Sequence, residues 1–398
     1  MSKLVIISHT EHQLNSAGHP VGWAPTVNEI NYLADYFDEV EHVACLESGP
    51  AKGSSVAYTA PNIKFQPIPV FGGRTLTSKI GVILKAPRIL LAVHKALKNA
   101  THVQLRLPTS IGLFLLPYFS FRKKKKYIFW VKYANNWVQK SPPLGYLLQR
   151  WFLSSNFADC KVTINGAWPG QPEHCITFEN PCLSEVDRRA GLQALGSKIL
   201  RPPFKLVFVG RVDGKKGIFH LLEALSSFSA EHIHSLTVLG SGDGDSRAME
   251  ISRGLSIPVI FMGSVSQSAV HKVLEMSHFL VLPSESEGFP KVAAESLNYG
   301  CIPVLSKVGS IPYYLQDGRD TFLLNSPDST SVISVLKRIC GMNQDSLHEI
   351  QRYGYITAGL FTFENYLRKL NSNVFGSVKA SVTTPRNHDV SFDKPKIG

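Results

Sequence analysis

The sequence predicts an α/β protein of two doubly wound, Rossmann-like domains that face each other across a cleft. Three observations predict it. Short, continuous apolar runs alternate with helical patterns along nearly the whole chain. Such runs suit parallel strands buried on both faces. They come in two successive sets, and the prolines Pro202-Pro203 stand immediately before the second. Two sets of this kind argue for two layered domains.

The elements follow in order. The first set of strands is expected at Leu4–Ser8, Glu41–Leu46, Ile63–Pro67, His102–Leu105, Tyr127–Lys132, Lys161–Ile164 and Cys175–Phe178. Residues 9–26 read as a long loop after the first strand. Lys85, Arg88, Lys95 and Lys98 recur at spacings of three, seven and three, which places them on one side of a helix. Pro87 is expected to kink or start that helix. The apolar run Ile111–Phe121 contains Pro117 and is too short to span a bilayer. Pro181 and the polar segment Ser184–Arg189 precede the second set, so residues 1–190 form the first domain and 191–203 a linker. The second set is expected at Lys205–Gly210, Ser235–Gly240, Pro258–Met262, His278–Leu282, Ile302–Leu305 and Thr321–Leu324, within a second domain of residues 204–360. Residues 361–376 have helical spacing, and the polar residues 377–398 are expected to be disordered.

Composition bounds the chemistry. The 398 residues suffice for two domains, and 44% hydrophobic with 18% charged residues suits a globular chain. A net charge of +12 points to an anionic partner: nucleic acid, a phosphorylated ligand or an acidic membrane. The six cysteines form no Cys-x-x-Cys pair. They read as free thiols of a reducing cytosol, not as a zinc site or a disulfide framework. The apolar start, Leu4–Ile7, is too short for a signal peptide and reads as a strand.

The most informative stretch is Ser284-Glu285-Ser286-Glu287-Gly288-Phe289-Pro290-Lys291-Val292-Ala293-Ala294-Glu295. An apolar strand precedes it and a helical pattern follows. A glycine-bearing turn at a helix start offers backbone N–H groups and a dipole to an anion. Two carboxylates beside that anion must point to something else, and hydroxyls suit them. A nucleotide sugar carries both groups. Acidic residues in a first helical turn are also commonplace, so a lone pair of glutamates would mean little. Here a second basic segment accompanies them. The strand Lys205–Gly210 ends at Gly210, and Arg211 and Lys216 follow in a loop that leaves its carboxyl end. An arginine fork and a lysine ammonium there suit a diphosphate, although two basic residues alone would fit a solvated loop equally well.

Together these segments resemble retaining family 4 glycosyltransferases, which have the GT-B fold. The likeness covers residues 204–325 and, in outline, the first domain. It implies that Arg211 and Lys216 hold the donor diphosphate, that Glu287 binds hydroxyls of the donor sugar, and that Glu295 binds the ribose. Gly210, Gly240, Val265, Gly288, Phe289, Pro290 and Lys291 complete the implied donor site. Pro290 stands where the family often has glycine, so one N–H donor is missing. Asp243-Gly244-Asp245 matches a metal-binding Asp-x-Asp pattern but falls in the resembling glycine turn beneath the nucleotide, so no metal is assigned. No cofactor is implied. The resemblance also implies that the C-terminal helix crosses back onto the first domain.

The first domain departs further from that pattern. Gly18, in the loop after the first strand, is the candidate for close backbone approach to the diphosphate, with an ordinary surface loop as the alternative. The family's histidine near the sugar has no counterpart after Ile128–Lys132. Lys132 or Asn135 contacts the sugar instead, or the contact is absent. Arg106 is either a cleft residue or a structural ion pair. The implied partners are a nucleotide-diphosphate sugar and a glycan or polyprenyl-linked acceptor, in bacterial surface-polysaccharide assembly. The basic residues near 85–98 and 122–126 suit an anionic membrane surface or plain solvent. No nucleic-acid module accompanies them. A silent nucleotide-sugar sensor and an epimerase on the same fold are the competing readings.

Overall fold

The structure is a computed structural model that describes residues 1–51, 53, 55–72, 76–122, 126–139 and 142–376. The expected tail, 377–398, lies outside the described residues, as do Lys123, Lys124 and Lys125 of the basic run.

Every strand expected from the sequence is present. The first sheet contains β1 (Lys3–Leu14), β2 (Pro20–Trp23), β3 (Glu39–Leu46), β4 (Ser55–Ala57), β5 (Ile63–Pro69), β6 (His102–Leu107), β7 (Ile128–Tyr133), β8 (Lys161–Ile164) and β9 (Cys175–Thr177). Seven of these run parallel in the order β5-β3-β1-β6-β7-β8-β9. The other two correct the expected loop 9–26. β1 continues to Leu14, β2 returns antiparallel beside it, and β4 pairs with β2.

The second sheet contains β10 (Phe204–Val209), β11 (Ile233–Leu239), β12 (Val259–Gly263), β13 (Phe279–Leu282), β14 (Ile302–Ser306) and β15 (Phe322–Leu324). It is wholly parallel, in the order β12-β11-β10-β13-β14-β15. Chain order reverses between β10 and β13 here, and between β1 and β6 in the first sheet. Loops at such a reversal part and leave a crevice at the strand carboxyl ends.

Helices cover both faces of the first sheet. On one side Ile89, Val93, Leu115, Leu116, Phe119 and Leu153 pack onto it from the helices Leu76–Ala96, Gly112–Phe121 and Leu144–Ser154. The first of these runs through Pro87 without starting there. On the other side lie Ala24–Ala34 and Phe363–Leu370. The latter is capped by Thr362, whose hydroxyl accepts from Asn365 N at 3.2 Å. Its Phe363, Tyr366, Leu367 and Leu370 share one buried face at helical spacing. Tyr366, Leu367 and Leu370 join Leu4, Ile6, Ile30 and Trp130 in one core cluster.

The stretch expected as a linker is mostly helical. Ser184 and Asp187 form a capping box that starts a helix at Glu185, and it continues to Ser197. That helix packs on Lys291–Asn298 and Gln344–Ala358 of the second domain. Cys182 and Leu183 already belong to the second core. The outward and returning crossings run side by side: Cys182 N donates to Phe361 O at 2.9 Å, and Phe363 N donates to Leu183 O at 3.0 Å.

Candidate active site

The site grows from the loops that follow β10 and β13, at the reversal of the second sheet. After β10, Asp213 starts a short turn by accepting from Lys216 N at 2.9 Å, and its carboxylate also pairs with Arg211 Nε. Gly217, at φ 78°, closes the turn, and a Cβ there would stand 2.1 Å from Pro283 O. The loop is thereby pressed against the end of β13, where Glu285 N donates to Lys215 O at 2.9 Å. The outcome is a close pair: Lys216 Nζ lies 2.5 Å from Glu287 Oε1.

Beyond Glu287, the Gly288 carbonyl accepts from both Ser310 N and Ser310 Oγ, each at 2.9 Å. Pro290 caps the helix Lys291–Asn298 and has no N–H, so the amides of Lys291 and Val292 head it. Phe289 was expected in the donor site. Its ring instead stacks on Phe361, with centroids 4.4 Å apart, because an aromatic of that size is held by the core. The residue also lines the smaller cavity.

Glu295 lies one turn further along and is buried. It accepts from Gln267 Nε2 at 2.8 Å, and Gln267 in turn accepts from Asn28 Nδ2 of the first domain at 2.8 Å. His271 sits between Glu295, at 3.6 Å, and Asp187, at 3.3 Å. Burial pulls the imidazole pKa down, but the two carboxylates outweigh it and raise the value to about 9. A charged His271 therefore backs Glu295. Sequence reasoning missed both His271 and Asp187. Only the four-residue spacing from Gln267 to His271 on one helix would have hinted at it.

The first domain contributes a buried charge cluster. Glu29 accepts from Arg106 Nη2 at 2.9 Å and from Lys132 Nζ at 2.7 Å to each oxygen. Burial pushes the Glu29 carboxyl up, but Arg106, Lys132 and Lys291 more than reverse it and hold it at about 2. Burial likewise drives the Lys132 ammonium down, to about 7, against the pull of Glu29. Arg106 is thus both a cleft residue and an ion-pair partner. Glu29 itself was missed, though it is the only acid in the apolar helix Ala24–Ala34.

Two adjoining cavities occupy the cleft, of about 670 and 920 Å³. The smaller is lined by Glu287, Gly288, Pro290, Arg106, Lys132 and Asn135, and is edged by Phe289. The larger is lined by Gly210, Arg211, Gly240, Val265, Gln267 and Glu295. Lys216 and Lys291 line both, together with Val292 and Trp23. The floor of the larger cavity depends on Gly240, at φ 123°, where a Cβ would stand 2.0 Å from Gly210 O.

Gly18 is not brought to this site. Asn15 folds its own loop, accepting from Gly18 N at 2.9 Å on its carbonyl and from Ala17 N and His19 N on its side chain. Gly18 sits at the exposed tip and lines neither cavity. Asp245 accepts from Gly242 N at 3.2 Å and steadies the turn. Asp243 is exposed on the same turn and lines neither cavity. Lys85 is also drawn away from the expected basic stripe. It is half-buried and donates to Val70 O at 2.6 Å, whereas Arg88, Lys95 and Lys98 are exposed.

Two facing Rossmann-like domains with the crevice between their strand ends define the GT-B fold, and the solved structures agree. Sucrose-phosphate synthase from Thermosynechococcus elongatus superposes with a TM-score of 0.67 at 15% identity, over 93% of this chain and 97% of that one. The lipopolysaccharide outer core galactosyltransferase WaaB gives 0.64 at 18%, over 94% and 99%. HepE of Anabaena, in complex with UDP and glucose, gives 0.64 at 15%, over 93% and 98%. In sequence, residues 197–356 match the family model of glycosyl transferases group 1. An uncharacterized glycosyltransferase of Methanocaldococcus jannaschii is 32% identical over 153 residues, which is 38% of this chain and 37% of that protein. The chain spans about a third of the length of the curated relatives it matches.

Proposed function

We propose that this protein is a retaining glycosyltransferase that moves a sugar from a nucleotide-diphosphate sugar to a glycan or polyprenyl-linked acceptor. One observation carries the reading. The Lys216–Glu287 pair stands at the head of the helix Lys291–Asn298, between two cavities, with Arg211 beside it.

A diphosphate at that junction meets Arg211, Lys216 and the leading amides of a helix, where its negative charge is best tolerated. The sugar end then lies in the smaller cavity, with Glu287 accepting from its hydroxyls. The nucleoside end lies in the larger, with Glu295 on the ribose and the Val265 segment along the base. Breaking the glycosidic bond puts charge on the departing diphosphate, and the same cations and amides stabilise it. Their charge serves the role that a divalent ion serves elsewhere. The leaving phosphate takes the proton of the acceptor hydroxyl on the same face of the sugar, which retains configuration. Arg106, Lys132 and Asn135 face the sugar or the acceptor from the first domain. The setting is the inner face of a cell membrane, in assembly of a surface polysaccharide such as lipopolysaccharide. The UDP complex of HepE and the activity named for WaaB support a nucleotide donor and that setting.

A panel of labelled UDP-, GDP- and ADP-sugars tests the reading by release of free nucleotide, with and without lipid-linked acceptor and with chelator. Release that depends on Glu287 and survives chelator is expected. Binding without release would favour a sensor of nucleotide sugars, and an unchanged rate in Glu287→Ala would remove that residue from the site.

A further inference from the structure

Residues 48–158 contain 17 lysines and arginines and not one aspartate or glutamate. Three helices from that stretch lie side by side on one face of the first sheet: Leu76–Ala96, Gly112–Phe121 and Leu144–Ser154. His94 and Tyr118 join the first to the second at 3.3 Å, and Leu113 of the second touches the third beside Gly145.

The outer side of this layer is apolar. On Leu144–Ser154, Leu144, Leu147, Leu148 and Trp151 are 83, 44, 53 and 56% exposed. Their spacing of three, four and seven makes one continuous stripe. A helix ordinarily turns such a stripe to the core, yet here Gln149 and Leu153 face inward and the stripe faces out. Phe157 extends it, 5.3 Å from the Trp151 ring. Ile83, Leu84 and Leu91 are exposed on the first helix, and Phe121 ends the second. Around these groups stand the exposed cations Arg88, Lys95, Arg122 and Lys126.

We propose that the outer face of these three helices is a docking surface for an anionic lipid bilayer. The exposed cations of this face, Arg88, Lys95, Arg122 and Lys126, select a polyanionic partner, and the aliphatic stripe selects one with a hydrocarbon interior. An amphipathic helix lying in the interface, with tryptophan at headgroup depth and flanking cations, meets both conditions. A nucleic acid would satisfy only the cations and leave the leucines in water. The helices Gly112–Phe121 and Leu144–Ser154 begin after the carboxyl ends of β6 and β7. Arg106, Lys132 and Asn135 reach the smaller cavity from the same ends. A bilayer on this face therefore lies beside the mouth of the cleft. The inference stands on fold and surface and does not require the transfer chemistry.

Co-sedimentation of the full chain with vesicles tests it. One set is phosphatidylcholine alone, the other equal parts phosphatidylcholine and phosphatidylglycerol. Strong binding to the anionic set and weak binding to the neutral set is expected. Leu148→Glu with Trp151→Glu lowers the partition roughly tenfold or more per side chain. Arg88→Glu with Lys95→Glu lowers it on anionic vesicles alone. Circular dichroism and melting establish that the variants fold, and UDP titration reads the cleft separately. Wild-type protein that ignores both vesicle sets overturns the proposal. So do variants that bind like wild type, or a soluble dimer that the glutamate variants dissociate while no vesicle is bound. Preference for RNA over anionic vesicles also overturns it.

Discussion

Replacing Glu29 by glutamine tests how the first domain holds its half of the cleft. The carboxylate is buried and takes hydrogen bonds from two cations at 2.7–2.9 Å. Glutamine keeps the volume, removes the charge, and turns an NH₂ group toward Arg106 and Lys132. Breaking a buried pair in this way costs about 3–5 kcal/mol. The lower end applies here, because burial already pushes the Lys132 ammonium down, to about 7, which lets it shed its proton in the variant. A loss of about 3 kcal/mol in a domain of this size lowers its melting point by roughly 6–12 °C. Calorimetry reads that directly. The pH dependence is a second readout. Burial works against the Glu29 carboxylate, but its cations outweigh it and depress its folded value from 4.5 to about 2. The stabilisation is therefore full between about 4.5 and 7, weakens above 7 as Lys132 sheds its proton, and fades as pH falls toward 2, where wild type and variant converge. Adding Lys132→Met to Glu29→Gln restores much of the loss, since one stranded cation is then gone. A single variant that loses under about 1 kcal/mol, or a double variant no better than the single, refutes the account.

Lys216→Met lowers kcat by roughly 10²–10³ while nucleotide binding weakens less, as expected of one preorganised donor to a leaving group, and steady-state kinetics separate the two. In Gly240→Ala, the added methyl meets the Gly210 carbonyl in a left-handed backbone, so about 2 kcal/mol or more of stability and most UDP affinity are lost, read by melting and calorimetric titration. His271 is held up by Asp187 and Glu295 against its burial, from 6.5 to about 9. Its contribution is full below about 6.5 and disappears as pH rises through 9. Urea unfolding of wild type and His271→Gln should differ by up to ~2–3 kcal/mol at the acid end of that window and converge above it.

The strands were legible because parallel strands buried on both faces read as unbroken apolar runs. The glutamate and basic loops were legible because each follows such a strand directly. The β2–β4 ribbon was not. It has only Pro20–Trp23 and Ser55–Ala57, and Gly22 is there because the His12 ring fills the space of a side chain. Nothing in three or four residues of mixed polarity announces pairing. Glu29, Asp187 and His271 were missed for a different reason. Each is an ordinary helical polar residue until tertiary structure brings its partners from distant segments. The linker was drawn at 191–203 because Pro202-Pro203 stands before a strand, whereas the bonded crossings lie near Cys182, in a short segment without unusual composition.

The paired crossings have a mechanical consequence. Two segments of chain, bonded to each other where they pass between the lobes, hold the domains together like two pins rather than one. Phe361 belongs to one of those pins, and Phe289, stacked on it, belongs to the loop that bears Glu287. The loop that carries the carboxylate is thus anchored to the crossing itself through one buried core.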